Sequence, residues 1–209
     1  MTNNYLKLYS QEDLLKRPGE GDTTEVEARV MMRHSVVGMS LMEATVPPNG
    51  LLPPHTHQHS HQGMYLIKGD MWINLGGLGP DGMTFLAPEG SYILKPKRVV
   101  HSFWNLNDTT NTYIELTDND LFEGFIESRR KGALFGGETE MRADWGQFVD
   151  TELMVEVLRK YKLTRIAQAG YELDTRAGIQ RLLSELPPGM LDMVKEGFGA
   201  DKVEQIMNG

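Results

Sequence analysis

Six histidines occur in the 209-residue chain, and His55, His57, His59 and His61 crowd into one short stretch. On an extended backbone, side chains alternate between faces, so His55 and His57 point the same way and can share one ion. Neutral imidazole suits iron, nickel, zinc, copper and manganese. The chain has no cysteine. Thiolate zinc sites, iron–sulfur clusters and disulfides are therefore excluded, and any metal must be held by nitrogen and oxygen. A histidine-rich exposed loop is the alternative, but the cluster is internal, and Pro53 and Pro54 stiffen the entry to it. A further imidazole, His101, opens the stretch His101-Ser-Phe-Trp-Asn105 after a turn at Pro96.

These side chains need rigid elements to aim them. From about residue 24 to 117, short apolar runs recur between turn clusters. The runs are Val36–Met42, Met64–Ile67, Met71–Leu75 and Tyr113–Leu116; the turns are PPNG, KGD, GGLGPDG and NDTTN. Short strands at such close spacing predict a barrel or sandwich. From Asp118 onward the period becomes helical. Helices are expected over 121–132 with Asp118 or Asn119 as cap, over 151–163 with Asp150 as cap, over 175–186, over 190–197 and over 201–208. Residues 132–146 read as a connecting loop, and Ser10–Asp13 as the start of a short capped helix. The division expected is an N-terminal arm (1–23), a barrel (24–118) and a helical C-terminal extension (119–209) serving as lid or dimerisation element.

Gly90, Pro96, His101 and Asn105 fall on the second motif of the cupin superfamily, G-x5-P-x-G-x2-H-x3-N, with Arg98 where the family has its middle glycine. Such a turn must avoid positive φ or tolerate strain. Gly50, His55, His57 and Gly69 resemble the first motif, G-x5-H-x-H-x3-4-E-x6-G, with its first gap one residue short. Counting forward from His57 and back from Gly69 places Gln62 in the glutamate position. The resemblance covers about half the chain. It implies a mainly β cupin fold, a double-stranded β-helix or jelly-roll barrel, followed here by the helical extension. It also implies one divalent metal on His55, His57 and His101, with Gln62 as fourth ligand or ligand neighbour and His61 as a less favoured substitute. Fe(II) is the favoured ion, and Ni, Mn, Zn and Cu are the alternatives. A single barrel with a helical tail is loosely similar to the flavonol (quercetin) dioxygenase-like monocupins.

Three neutral imidazoles and a glutamine leave the ion's charge uncompensated, which favours an anionic ligand. Glutamine cannot accept a proton near neutral pH, so a base must come from elsewhere. His61 and Glu115 are the catalytic candidates, and His59 reads more readily as an exposed turn residue. Strand alternation nominates Met39, Leu41, Met64, Leu66, Trp72, Tyr92 and Phe103 for the interior wall. Trp104 should face out against a helix or a second subunit, and Asn105 should fix a turn. The group Lys95, Lys97 and Arg98 reads as solvated charge on a loop or strand edge. His34 reads as a surface or packed histidine.

Formal net charge is -8, so no basic footprint for nucleic acid exists. No apolar stretch approaches a membrane span, and the polar N-terminus has no signal-peptide core. The expectation is a cytoplasmic homodimer acting on a small molecule. The first functional reading is a dioxygenase for an enolic, phenolic or diketone-like substrate. The second is a redox-neutral lyase, isomerase or cyclase using the ion as Lewis acid. The third is a non-enzymatic small-molecule binder.

Overall fold

The computed structural model describes residues 10, 15–23, 28–121, 123–124, 147–167, 170–186 and 188–208. Two sheets face each other, and the core lies between them. The first sheet contains β1 (Asp22–Thr23), β2 (Ala28–Met32), β3 (Ser40–Val46), β5 (Gln62–Lys68), β8 (Tyr92–Lys95) and β10 (Asn111–Thr117). Their order is β1-β2-β3-β10-β5-β8. The second contains β4 (Gly50–His57), β6 (Met71–Leu75), β7 (Met83–Ala87), β9 (His101–Trp104), β12 (Arg165–Ile166) and β13 (Tyr171–Glu172) in the order β13-β12-β4-β9-β6-β7. A further strand, β11 (Gln147–Val149), pairs with β4.

The alternation that sets the strands also sets the core. On β3, Ser40, Met42, Ala44 and Val46 are buried while their neighbours are not. On β5 the buried set is Gln62, Met64 and Leu66. These join Ile73, Phe103 and Tyr113 in the apolar interior. A short helix, α1 (His34–Val37), ends at Gly38 with φ 75°. The apolar run expected over Val36–Met42 is thus split: Val36 and Val37 close a helical turn, and the strand begins at Ser40. At the β5–β6 turn, Gly69 has φ 81°, and a Cβ there would lie 2.0 Å from Asn111 Oδ1. Only glycine fits this turn.

The tail carries the expected helices: α2 (Thr151–Tyr161), α3 (Arg176–Glu185), α4 (Pro188–Phe198) and α5 (Ala200–Asn208). Asp150 caps α2 by accepting a hydrogen bond from Leu153 N at 2.9 Å. Helix α4 starts at Pro188, the position where proline's missing N–H costs nothing. The tail also supplies β11, β12 and β13, which the helical period did not reveal. Leu153, Met154 and Val157 of α2 pack with Leu51, Trp104, Ile166 and Tyr171 into a second apolar cluster on the outer face of the second sheet. Trp104 therefore faces out against a helix, and its ring lies 4.4 Å from that of Tyr161. Most of the helix expected over 121–132, all of the loop over 132–146 and most of the turn at Ser10–Asp13 lie outside the described residues. Among the described residues, no helix is long and apolar enough to cross a membrane.

Candidate metal centre

Strand β4 delivers His55 and His57 to the interior, and β9 delivers His101 from the adjacent strand, in register with His55. The register between β4 and β9 shifts between Leu52 and His55, where Pro53 and Pro54 interrupt the ladder. Prolines lack the N–H that a regular ladder requires, so the irregularity follows from them. One ligand atom from each of the three histidines can be chosen so that all lie within 4.8 Å of one another, and all three residues are buried. Ring centroids are 4.4 to 5.4 Å apart.

Hydrogen bonds orient two of the rings. His55 Nδ1 lies 2.7 Å from the Pro53 carbonyl, and His101 Nδ1 lies 3.1 Å from the Val99 carbonyl. A carbonyl can only accept, so each Nδ1 carries the proton and Nε2 keeps its lone pair for the interior. Burial holds His57 and His101 well below the usual imidazole pKa, and the charges of His55 and Lys95 act in the same direction. Both rings are therefore neutral at pH 7, the protonation state a metal ligand needs.

Gln62 occupies the first residue of β5, points inward and is buried. Among the described residues, neither its Oε1 nor its Nε2 has a hydrogen-bond partner, and the same holds for His101 Nε2. Buried polar atoms of this kind ordinarily find partners. Three clustered imidazoles plus an unsatisfied amide suit a borderline divalent cation with nitrogen and oxygen preference. The residues present thus fit the ion that the sequence motifs imply.

Arg98 has φ 65°, so the turn tolerates the left-handed conformation. Its N–H donates to the His57 carbonyl at 2.7 Å. The turn ahead of His101 is thereby tied to the strand carrying the other two histidines. Asn105 fixes the turn after β9: its Nδ2 donates to the carbonyls of Val46 and Thr109 at 2.9 and 2.8 Å.

The two catalytic candidates part company. His61 lies in the exposed connection before β5, outside the histidine cluster, with its Nδ1 accepting from Lys97 N at 3.4 Å. It does not line the interior. Glu115 does: it is 2% exposed, and its Oε1 lies 2.9 Å from Lys95 Nζ. His59 is exposed, and His34 is half-buried at the start of α1.

Lys95 is the residue that the sequence reading misplaced. It is not solvated charge but buried, 1% exposed. Burial lowers its pKa, while Glu115 opposes that shift. The wall assignments show the same cause. Met64, Leu66 and Phe103 face inward as expected, but Tyr92 and Met39 are exposed, Leu41 is half-buried on β3's outward-facing positions, and Trp72 packs in the outer cluster. Alternation fixes which residues share a face but not which face is inside. Tyr92 and Lys95 stand three residues apart on β8 and so on opposite faces, and an inward Lys95 leaves Tyr92 outside. The observation that separates the cases is register: Gln62 pairs with Lys95 and Tyr65 with Tyr92.

Residues 7–125 match the cupin family model, more than half of the chain, and the chain belongs to the cupin family. Among curated relatives, a germin-like protein of subfamily 3 from Arabidopsis thaliana is 26% identical over 80 residues, 38% of this chain and 35% of that protein. Germin-like protein 2-2 from Oryza sativa subsp. japonica is 27% identical over 84 residues, 39% of this chain and 37% of that protein. The match thus spans little more than a third of each relative's length. Among solved structures, the oxalate decarboxylase of Lactobacillus farciminis in its formate complex aligns with a TM-score of 0.40 at 19% identity, covering 45% of this chain and 29% of that one. A predicted oxalate decarboxylase from Thermotoga maritima aligns with a TM-score of 0.40 at 15% identity, covering 44% of this chain and 78% of that one.

Proposed function

We propose that the protein is a metal-dependent cupin enzyme, and that its reaction is a dioxygenation of a small enolic, phenolic or diketone-like substrate with Fe(II) as cofactor. The observation that carries this reading is the convergence of three buried imidazoles; with Gln62 in the family's glutamate position, the ligand set we propose adds no negative charge. When bound, a divalent ion there would polarise an oxygen ligand, and ferrous iron would add dioxygen chemistry. The chain's own residues do the rest. His55 and His101 are held in one tautomer by backbone carbonyls. Met64, Leu66 and Phe103 keep the neighbouring interior apolar, which strengthens every electrostatic contact made there.

The buried pair Lys95 and Glu115 supports a second reading, the redox-neutral lyase, isomerase or cyclase. It puts proton-carrying groups in the buried interior, where such a reaction would draw its acid and base. One experiment separates the two. The protein is loaded with Fe(II) or with Zn(II), its metal content is measured, and turnover of an enol, phenol and diketone panel is followed with and without dioxygen. Oxygen uptake matched to product in the iron form alone supports the dioxygenase. Turnover by the zinc form under argon refutes it and leaves the redox-neutral reading. We propose further that the protein works as a homodimer on a small-molecule substrate.

A further inference from the structure

The inner wall of the first sheet carries polar groups that an apolar core does not need. Thr117 is in register with Gln62, and Gln62 with Lys95, so the three form a row across β10, β5 and β8. Glu115, two residues before Thr117 on β10, faces the same way and meets Lys95. All four are at least nine-tenths buried. Among the described residues, the amide of Gln62 and the hydroxyl of Thr117 have no hydrogen-bond partner. Lys95 Nζ has the Glu115 carboxylate on one side and the face of Phe103, 5.3 Å to the ring centre, on another. An ammonium has three donors, and one carboxylate oxygen does not occupy them. Leaving buried polar groups unsatisfied costs stability. A row of them marks a place where the protein expects something else to bind.

That place adjoins the metal centre. Phe103, on which Lys95 rests, is two residues from His101 on the same inward face of β9. The charge of Lys95 also acts on both His57 and His101. We propose that Lys95 is an anion-binding residue of this centre: braced by Glu115 and flanked by Gln62, its ammonium receives a second anionic oxygen of a substrate whose first oxygen is presented to the three histidines. The inference rests on the metal reading above and narrows its substrate class. Lys95 and Glu115 cancel each other, an imidazole that ligates a metal is neutral, and Gln62 carries no charge. The interior therefore keeps a surplus equal to the ion's own charge. A compact dianion, such as a dicarboxylate or a keto acid in its enolate form, neutralises it. A glutamate at position 62 would have supplied part of that charge itself and competed with the substrate for Lys95.

The test uses zinc-loaded protein, with zinc content measured on each variant, and calorimetric titration with malonate as dianion and acetate as monoanion at fixed pH and ionic strength. Wild type is expected to bind malonate at least about tenfold more tightly than acetate, as a charge-assisted second contact would give. Lys95→Met should lose about that tenfold advantage while acetate affinity and zinc content stay unchanged. Because an unpaired Glu115 could destabilise that variant, the double variant Lys95→Met/Glu115→Leu is measured beside it and should show the same loss. Lys95→Arg should retain part of the preference, which a merely space-filling role would not require. Zinc-loaded double variant that keeps wild-type malonate affinity overturns the role of Lys95, as does a wild type that prefers neither anion. A wild type that takes up no zinc overturns the metal reading, and this inference with it.

Discussion

Substituting Glu115 with leucine should destabilise the protein far more than substituting both Glu115 and Lys95. The two side chains are 3% and 1% exposed and meet at 2.9 Å. Glu115→Leu removes the carboxylate that balances a fully buried ammonium. Breaking a buried pair by removing one partner typically costs about 3–5 kcal/mol, because the remaining charge stays desolvated. Replacing both partners with apolar groups of similar volume removes the desolvation along with the attraction, and is often neutral or stabilising by about 1–4 kcal/mol. For a chain of this size, each kcal/mol moves Tm by about 2–4 °C. Glu115→Leu should therefore melt about 10 °C below wild type, and Lys95→Met/Glu115→Leu should melt within a few degrees of it. Urea unfolding of wild type, both single variants and the double variant closes the thermodynamic cycle. A cost below about 1 kcal/mol for Glu115→Leu would refute the reasoning, since it would place the pair in water, where such contacts contribute little.

Acidification should destabilise the metal-free protein. His57 and His101 are held below the ordinary imidazole range in the fold, so below about pH 6.5 the unfolded chain takes up protons that the folded chain refuses, and stability falls by as much as about 2.7 kcal/mol per pH unit. Denaturant midpoints measured from pH 7.5 to 5 check this, and a flat profile contradicts it. Arg98→Gly should stabilise by up to about 1 kcal/mol, because glycine adopts φ 65° without the steric cost that arginine carries; a loss of stability on thermal melting would show that the Arg98 side chain outweighs the strain. On the outer face of the first sheet, Tyr92 is 84% and Leu94 65% exposed on the edge strand β8, with the Tyr65 ring 4.6 Å from that of Tyr92 and Leu116 on the same face. The homodimer we propose is expected to use this apolar face, so Tyr92→Glu/Leu94→Glu should halve the mass seen by light scattering, whereas a monomeric wild type sinks the expectation.

Much of the centre was legible because its signals are local. His55 and His57 are two residues apart on one strand, and the spacing from Gly90 to Asn105 carries its own turn. Asp150 announced its helix because a cap is a contact over three residues. Failures came where the deciding contact is distant or where two parities are equally good. Lys95 reads as solvated because charge is normally outside, and the pairing of β5 with β8 is what sets it beside Gln62. Strands β11 to β13 are two or three residues long, too short for a period of two to emerge. His61 sits one residue from Gln62, and the step of one from a buried to an exposed position took it out of the interior.

Strand β4 is bordered on one side by β9 and on the other by the tail. Gln147 and Val149 pair with His57 and His55, and Arg165 and Ile166 run parallel to Gly50 and Leu51. Without residues 147–166, the strand that carries two of the three histidines would be the rim of its sheet. This has a consequence in time. During synthesis, His55, His57 and His101 all emerge well before their neighbouring strand does. Loops of that length close slowly relative to local contacts. The three imidazoles thus leave the ribosome before the tail strands that border β4, and that strand is bordered on both sides only once residues 147–166 have been made.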